Sequence, residues 1–378
     1  AISPTMHWLA PMISLIGVPG IATGLLFWQR MPDSDLASIR TSGLSIAMLG
    51  VLVLIGAAPL AWPDPLTLLP VTLIDAILFT FIALLFNLPS AHLVAGLTFT
   101  VAWLVGFHAF AGSVHWHAAT PKSMLDALLT AKSGTALVPL TALFGGISLF
   151  WHRLRRQEEV LIYSIVAAVV AAMSLGLVTW FGFRVPGDPF HVAWIYTFYV
   201  LAALAAAWLT NHRVLGWTAS VLLLFAIVQT VIYRLAGTEL FIDPWTFVLL
   251  LHATIAAVVS GSARLLSLGR ISNGHEKGLV EPFAQSATAT SIMGLGIIAL
   301  GMFGISDIWT VAAISRYLFW LAVVWLILAV VCDWPDLFAV FQVALLLALT
   351  FGIAAIVAGR AWYTAAHWPW LDPWFVAA

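Results

Sequence analysis

Long apolar runs recur along the whole chain and are separated by short polar breaks. Each run is close to the roughly 20 residues that a helix needs to cross the hydrocarbon core of a bilayer. The runs are continuous and do not alternate in polarity, which disfavours a spanning β-barrel. The pattern predicts an all-α, polytopic transmembrane bundle of about 12 spans, at 9–28, 43–62, 67–86, 93–111, 136–151, 160–183, 192–209, 215–233, 245–265, 285–304, 317–332 and 335–358.

The composition supports a membrane protein and argues against a soluble or nucleic-acid-binding protein. Hydrophobic residues make up 62% of the chain and charged residues only 8%, against roughly a quarter charged in ordinary globular proteins. The net charge is −1, and no basic tract is large enough for nucleic acid. The single cysteine, Cys332, excludes an internal disulfide and a cysteine-held iron–sulfur cluster. The sequence therefore predicts an integral membrane protein.

Basic residues between the spans predict the orientation. Side A is the side on which the chain begins, and side B is the opposite one. Nine Lys and Arg residues fall in side-B loops and six on side A. Because cytoplasmic loops carry the excess of Lys and Arg, side B is predicted to be cytoplasmic. Both chain ends would then lie outside a bacterial cytoplasmic membrane.

Four Asp-Pro pairs mark predicted helix starts. Asp is a favoured N-cap and Pro a favoured first helical residue. Asp64-Pro65, Asp188-Pro189 and Asp243-Pro244 each precede a span that should start on side A. The fourth pair, Asp372-Pro373, predicts a helix start at Trp374 and a chain that continues beyond Ala378; the alternative is a short interfacial turn.

Similar motifs at intervals of about 120 residues predict tandem four-helix repeats. His92-Leu-Val-Ala-Gly96 resembles His212-Arg-Val-Leu-Gly216, and Glu158 corresponds to Glu281. The predicted organisation is a two-helix segment at 1–62, four-helix units at 63–183 and 184–304, and a partial third unit at 305–378. Chance similarity among Leu- and Ala-rich helices remains the alternative.

Three segments also suggest a family. They are Trp180-Phe-Gly-Phe-Arg-Val-Pro-Gly-Asp-Pro-Phe190, His212-Arg-Val-Leu-Gly-Trp217 and Leu337-Phe-Ala-Val-Phe-Gln342. Over roughly residues 160–378 the chain resembles uncharacterised, very large multi-spanning membrane proteins of planctomycete bacteria. The resemblance implies a fragment of a larger helical array, and it implies no catalytic residue.

Polar side chains inside predicted spans are costly and therefore informative. Asp75, His108, Gln229 and His252 are the candidates for a polar or ion site, and Tyr233 lies near Gln229. All of them fall in the half of the membrane nearer side A on this topology. One hypothesis is a cation or proton site, with Asp75 as the ionisable group and the two histidines as its partners. The alternative is that each residue makes an interhelical hydrogen bond.

Cofactor chemistry is only weakly suggested, and no cofactor is implied strongly. His108, His115 and His117 are spaced so that they could supply imidazoles to zinc or copper. His108 and His252 are the only intramembrane histidines that could ligate a haem. Segment 121–133 is predicted as a short amphipathic helix on side A. Gly145-Gly146 and Gly294-x-Gly296 are interpreted as close helix contacts.

The functional hypothesis follows from sparse charge and short loops. The sequence has no phosphate-binding loop, no HExxH helix and no GxSxG elbow. We therefore expect an integral membrane subunit or scaffold without catalytic chemistry of its own, whose partners are membrane lipids and other membrane protein subunits. The alternative is a secondary transporter or flippase that uses Asp75, His108 and His252. A transferase for lipid-linked substrates is a third class.

Overall fold

The computed structural model describes residues 4–30, 37–117, 119–182, 189–232, 243–268, 276–302, 309–358 and 360. These residues form thirteen α-helices. The helices are α1 Pro4–Arg30, α2 Ala37–Ala61, α3 Pro65–Phe86, α4 Pro89–Phe110, α5 Pro121–Leu128, α6 Ala131–Arg153, α7 Gln157–Gly182, α8 Pro189–Thr210, α9 Arg213–Thr230, α10 Pro244–Leu268, α11 Glu276–Met302, α12 Val311–Cys332 and α13 Pro335–Val357.

Eleven of these helices are long and apolar enough to cross a membrane. The remaining predicted span corresponds to α2, in which Ser45–Ala61 is a shorter apolar segment. Among the described residues there is no strand. The prediction of an all-α, multi-spanning membrane protein is therefore confirmed. The repeated Asp-Pro signal also matches helix starts, because α3, α8 and α10 begin at Pro65, Pro189 and Pro244.

The two predicted spans that seemed short are full-length helices. The predicted 136–151 corresponds to α6, which has 23 residues, and the predicted 317–332 corresponds to α12, which has 22. Each helix begins earlier because a threonine caps it. The Thr130 side chain accepts a hydrogen bond from the backbone N–H of Ser133, and the Thr310 side chain accepts one from that of Ala313. Lys132 and Ser133 in the first turn of α6, and Ser315 and Arg316 in the second turn of α12, lowered the local hydropathy and hid these starts.

The short amphipathic helix is confirmed in its first part. Helix α5 starts after Thr120, where Thr120 and Ser123 form a reciprocal capping box. The helix ends at Leu128, and a bend at residues 129 and 130 separates it from α6. The prediction that one helix extends to residue 133 was therefore wrong, because residues 131–133 form the first turn of α6.

The chain divides into two compact units, Ala1–Gly187 and Asp188–Ala378. In both units, consecutive helices pack as hairpins: α1 with α2, α3 with α4 and α6 with α7 in the first, and α8 with α9, α10 with α11 and α12 with α13 in the second. In the first unit α3 packs on α1 and α2, and α4 packs on α6 and α7. In the second unit α9 and α12 each pack on α10 and α11. The finer division at residues 62, 183 and 304 stays a prediction.

Three hairpins share one kind of turn. Helices α3, α8 and α12 end at Asn87, Asn211 and Asp333, whose φ angles of 51°, 56° and 54° are left-handed. Asn and Asp tolerate this conformation better than most residues. Each turn residue donates its backbone N–H to the carbonyl of the alanine four residues earlier. The next helix then begins two residues later.

The same three hairpins also bury corresponding positions. The residue twelve before each turn is Asp75, Tyr199 or Leu321, and all three are buried. Other motifs do not correspond in this way. His92 lies five residues after its turn, inside α4, whereas His212 lies one residue after its turn and is the N-cap of α9. These two histidines therefore occupy different places in their hairpins, and the repeat stays a prediction.

Glycine brings the backbones of α1 and α2 very close together. Gly17 and Gly24 in α1, and Gly43 and Gly50 in α2, are each seven residues apart and so lie on one side of their helix. A Cβ atom added at Gly50 would lie 2.6 Å from Ile21 Cγ1 and 2.8 Å from the Gly17 carbonyl oxygen. This approach is the small-residue packing that membrane helices use in place of hydrophobic association.

The glycines that the sequence singled out behave differently. A Cβ atom at Gly294 would lie 3.2 Å from Leu250 Cδ2, so this glycine does mark a helix contact. Gly145, Gly146 and Gly296 have no atom of another described element within 4 Å of an added Cβ. Their interpretation as close contacts was wrong, because they lie on open sides of α6 and α11.

We expect Gly50→Ala to destabilise the first unit, because the added methyl group overlaps Ile21 and the α1 backbone. Overpacking of this kind costs about 1–3 kcal/mol. The matched control is Gly56→Ala in the same helix, where an added Cβ atom meets nothing within 4 Å. Thermal unfolding in mild detergent measures both variants, and equal midpoints would contradict the close packing of α1 on α2.

Candidate functional site

The four candidate polar residues are all buried but do not form one site. Asp75, His108, Gln229 and His252 are each about 1% exposed. Asp75 and His108 belong to the first unit, whereas Gln229 and His252 belong to the second. Tyr233, which the sequence placed near Gln229, lies outside the described residues. The chemistry of each unit is therefore considered by itself.

Asp75 and His108 lie at different depths within the first unit. The tight turn at Asn87 makes α4 return alongside α3. Asp75 is twelve residues before this turn and His108 is twenty-one residues after it. A difference of nine residues corresponds to roughly 13 Å along the helix axis. The histidine is therefore not placed to be a direct partner of the carboxyl group.

His108 instead joins α4 to the start of α6. Its Nε2 lies 2.6 Å from Ser133 Oγ. The same hydroxyl group lies 3.2 Å from the Ala127 carbonyl oxygen, to which it can donate. When Ser133 donates to Ala127, His108 must donate through Nε2–H, and Nδ1 is then an acceptor. His108 Nδ1 has no hydrogen-bond partner among the described groups.

His252 is the centre of a polar network between three helices of the second unit. Its Nε2 lies 3.0 Å from the Ser220 carbonyl oxygen and 3.2 Å from Ser220 Oγ on α9. Its Nδ1 lies 3.1 Å from Thr290 Oγ1 on α11. The Ser220 hydroxyl donates to Ser286 Oγ at 2.6 Å. Both ring nitrogens are therefore engaged, and the ring connects α9, α10 and α11.

Two tryptophans attach α12 to the same helices. Trp325 Nε1 donates to Ser291 Oγ on α11 at 3.0 Å, and Trp320 Nε1 donates to Thr254 Oγ1 on α10 at 2.8 Å. These partners were not predicted, because the candidates were limited to Asp, His, Gln and Tyr side chains inside the spans. The signal that could have found them is the concentration of Ser and Thr in α11, at 286, 288, 290 and 291.

A second overlooked cluster lies near the loop between α6 and α7. His92 Nδ1 lies 2.9 Å from the Tyr163 hydroxyl group. Arg156 forms a 3.0 Å ion pair with Glu159, which is largely buried, and its guanidinium lies 5.4 Å from the centroid of the Trp151 ring. Arg153, Arg155 and Arg156 lie in or next to this loop. The structure adds an acidic partner for one of its arginines.

Asp75 differs from these paired groups. Its Oδ1 atom is buried and has no hydrogen-bond partner among the described groups, and the same is true of Ser14 Oγ on α1. The Ser14 side chain lies close to the carboxyl group but forms no hydrogen bond with it. Gln229 Oε1 is also buried and unpaired. Asp75 is thus an acid inside a span without a cationic partner in the part of the chain that is described.

The candidate metal and haem ligands are not brought together in the described residues. No group of three or more His, Cys, Asp or Glu side chains there is arranged to hold a metal ion. His115 and His117 are exposed whereas His108 is buried, so the three do not share one environment. For haem, both His252 nitrogens already contact Ser220 and Thr290, and His108 belongs to the other unit.

We expect Thr290→Val to destabilise the second unit, because it removes the hydroxyl group that His252 Nδ1 contacts while keeping the shape of the side chain. Interhelical polar contacts in membranes contribute about 1 kcal/mol. Thr288→Val is the matched control on the same helix, since the only bond described for its hydroxyl group is to its own helix at Ala284. Denaturant unfolding in detergent compares the two, and an equal loss would contradict the bridging role of His252.

Comparison of the chain with known protein families, with curated proteins and with solved structures gives no match. The resemblance to planctomycete membrane proteins therefore stays a prediction. A function for this helical membrane protein has to be argued from its own contacts.

Proposed function

We propose that the protein is a structural subunit, or scaffold, of a larger membrane assembly. The observation that supports this most directly is the His252 network, in which a buried histidine uses both ring nitrogens to connect α9, α10 and α11. A side chain held in this way stabilises a bundle and is not free to bind a ligand. Trp320 and Trp325 extend the same connection to α12.

Two helices offer apolar surface for partner subunits. In the most apolar stretch of α7, and in that of α13, only 22% of the residues are buried. Leu161, Ile165, Val169 and Met173 are exposed along α7 at intervals of four residues, which places them on one side of the helix. Lipid covers such a surface equally well, so partners on α7 and α13 are part of the proposal.

We further propose that the hairpins α3–α4, α8–α9 and α12–α13 are copies of one repeated unit. The common left-handed turn and the matching buried positions twelve residues before it support this origin. A repeated array fits the expected resemblance to very large multi-spanning bacterial proteins. In the proposed orientation Arg156, Arg213 and Arg264, which lie in loops or near helix ends, face the cytoplasm of a bacterial cell.

A photoreactive amino acid at Ile165 on α7 or at Leu346 on α13 tests the scaffold proposal. Both side chains are exposed, at 39% and 66%, so the replacement disturbs little packing. We expect illumination of native membranes to produce a discrete cross-linked product of the same protein partner in repeated preparations. The same variants kept in the dark are the control. Products that contain lipid only, at both positions, would contradict the proposal.

A second candidate function is secondary transport or lipid flipping, and Asp75 is the specific observation in its favour. Buried ionisable groups without partners are common on substrate and ion pathways in membrane proteins. This function needs a route by which water reaches the carboxyl group. A dry Asp75 would leave the scaffold proposal as the better account.

Cysteine accessibility distinguishes the two functions, and Cys332→Ala provides a cysteine-free background. In that background, Asp75→Cys is compared with Ile77→Cys, which lies on the same helix but is 55% exposed on its outer side. We expect neither thiol to react with a charged, water-soluble thiol reagent, because a dry interior and lipid both exclude it. His115→Cys in the exposed α4–α5 loop is the positive control. Reaction at position 75 but not at 77 would favour transport.

A further inference from the structure

The pair formed by Asp75 and Ser14 is the one place in the described residues where an acid and a hydroxyl group are buried together without hydrogen-bond partners. Asp75 is 1% exposed and Ser14 is 0% exposed. Asp75 Oδ1 and Ser14 Oγ both lack a partner, although the two side chains lie close together. Buried polar groups normally have partners, so each exception needs an explanation.

The fold itself does not require an acid at this position. Asp75 lies twelve residues before the left-handed turn of its hairpin, and Tyr199 and Leu321 lie twelve residues before the equivalent turns. Tyr199 and Leu321 are 4% and 0% exposed. The position therefore accepts a tyrosine or a leucine in the other two hairpins. Packing alone does not account for a carboxyl group in the first.

Among the described side chains, no cation is in place to neutralise Asp75. The helices that pack on α3 are α1, α2 and α4. The ionisable residues of α4 are His92 and His108, and their described ring contacts are to Tyr163 and Ser133. Those of α1 and α2 are His7, Arg30 and Arg40, near the ends of their helices, and their side chains lie outside the described set. An ionised carboxylate without a partner is very costly in such an environment.

A bound metal ion fits this place poorly. Hard cations such as Ca²⁺ and Mg²⁺ take six or more oxygen ligands, whereas two unpaired oxygen atoms meet here. Thr72, one turn before Asp75, already donates its hydroxyl hydrogen within α3, with the Leu68 carbonyl oxygen at 2.8 Å. A proton needs only one oxygen to bind and one to accept its hydrogen bond. The pair supplies both.

We propose that Asp75 and Ser14 form a buried proton-binding site, in which the carboxyl group of α3 holds a proton and the Ser14 hydroxyl group of α1 is its hydrogen-bond acceptor. The proton makes the acid neutral and so removes the cost of burying its charge. It also turns an unpaired acceptor into a donor directed between two helices. This proton-binding site would exist whether or not the protein is a scaffold.

A hydrophobic carbodiimide tests the proposal on the intact protein in membranes. This reagent partitions into the bilayer and reacts with a protonated carboxyl group. The proton moves to a carbodiimide nitrogen and a carboxyl oxygen bonds to the central carbon, so the acid adds to the reagent without a leaving group. We expect peptide mass spectrometry to find the adduct on Asp75 at neutral pH, and to find several-fold less of it at strongly alkaline pH.

Three comparisons make the result specific. Asp126 on α5 is exposed and should remain unlabelled by the hydrophobic reagent at neutral pH, whereas a water-soluble carbodiimide at acidic pH should label Asp126 and leave Asp75 unmodified. Asp75→Asn, which keeps the shape of the side chain, should remove the membrane-phase label. Absence of an adduct on Asp75 in the wild-type protein at neutral pH would overturn the proposal.

Sodium chloride and Ser14→Ala test the remaining parts of the site. Protection of Asp75 by sodium chloride but not by choline chloride would show a sodium site and would overturn the proton assignment. We expect Ser14→Ala to increase the initial rate of labelling several-fold, because the acid proton is no longer held in a hydrogen bond. An unchanged rate would remove Ser14 from the site. Thr23→Ala is the control on α1, since its hydroxyl group bonds only to its own helix.

Discussion

Within a bilayer every polar group has to find its partner inside the protein, because the hydrocarbon core offers none. In this chain that constraint selects which helices are joined by polar contacts. His252 connects α9, α10 and α11, Trp320 and Trp325 attach α12, and His108 attaches α4 to α6. Apolar surface alone gives membrane helices little preference for one neighbour over another. These few contacts therefore contribute specificity beyond their modest individual energies.

Close backbone packing and polar contacts both hold neighbouring helices together. Gly17, Gly24, Gly43 and Gly50 bring α1 and α2 together with dispersion contacts between backbones. In the second unit, α9 and α10 meet around the hydrogen bonds of Ser220 and His252. At the ends of the helices, ion pairs also join neighbouring helices; Arg213 and Glu281, for example, lie 2.9 Å apart. The contribution of such exposed pairs to stability is small.

Hydropathy predicted the class and most helices because the length and polarity of a run are local properties. It missed the starts of α6 and α12, where polar residues follow within two turns of the threonine caps. Burial of Asp75, His108, Gln229 and His252 was also predictable, since each lies in an apolar run. Which of them meet was not predictable, because pairing depends on how distant segments pack. The partners Ser220, Ser286 and Thr290 are ordinary residues of their helices until the fold brings them to His252.

Asp75 is informative because it is the one carboxyl group among the few buried side chains of the described residues that lack a partner. Leucine occupies the corresponding place before Asp333, and an aromatic residue occupies it before Asn211. An acid there raises the cost of folding unless its charge is removed or paired. The hairpin thus keeps a residue that its own packing does not demand. A costly group without a structural reason is the usual mark of a functional one in membrane proteins, and a neutral carboxyl group that donates to Ser14 satisfies both the chemistry and the membrane.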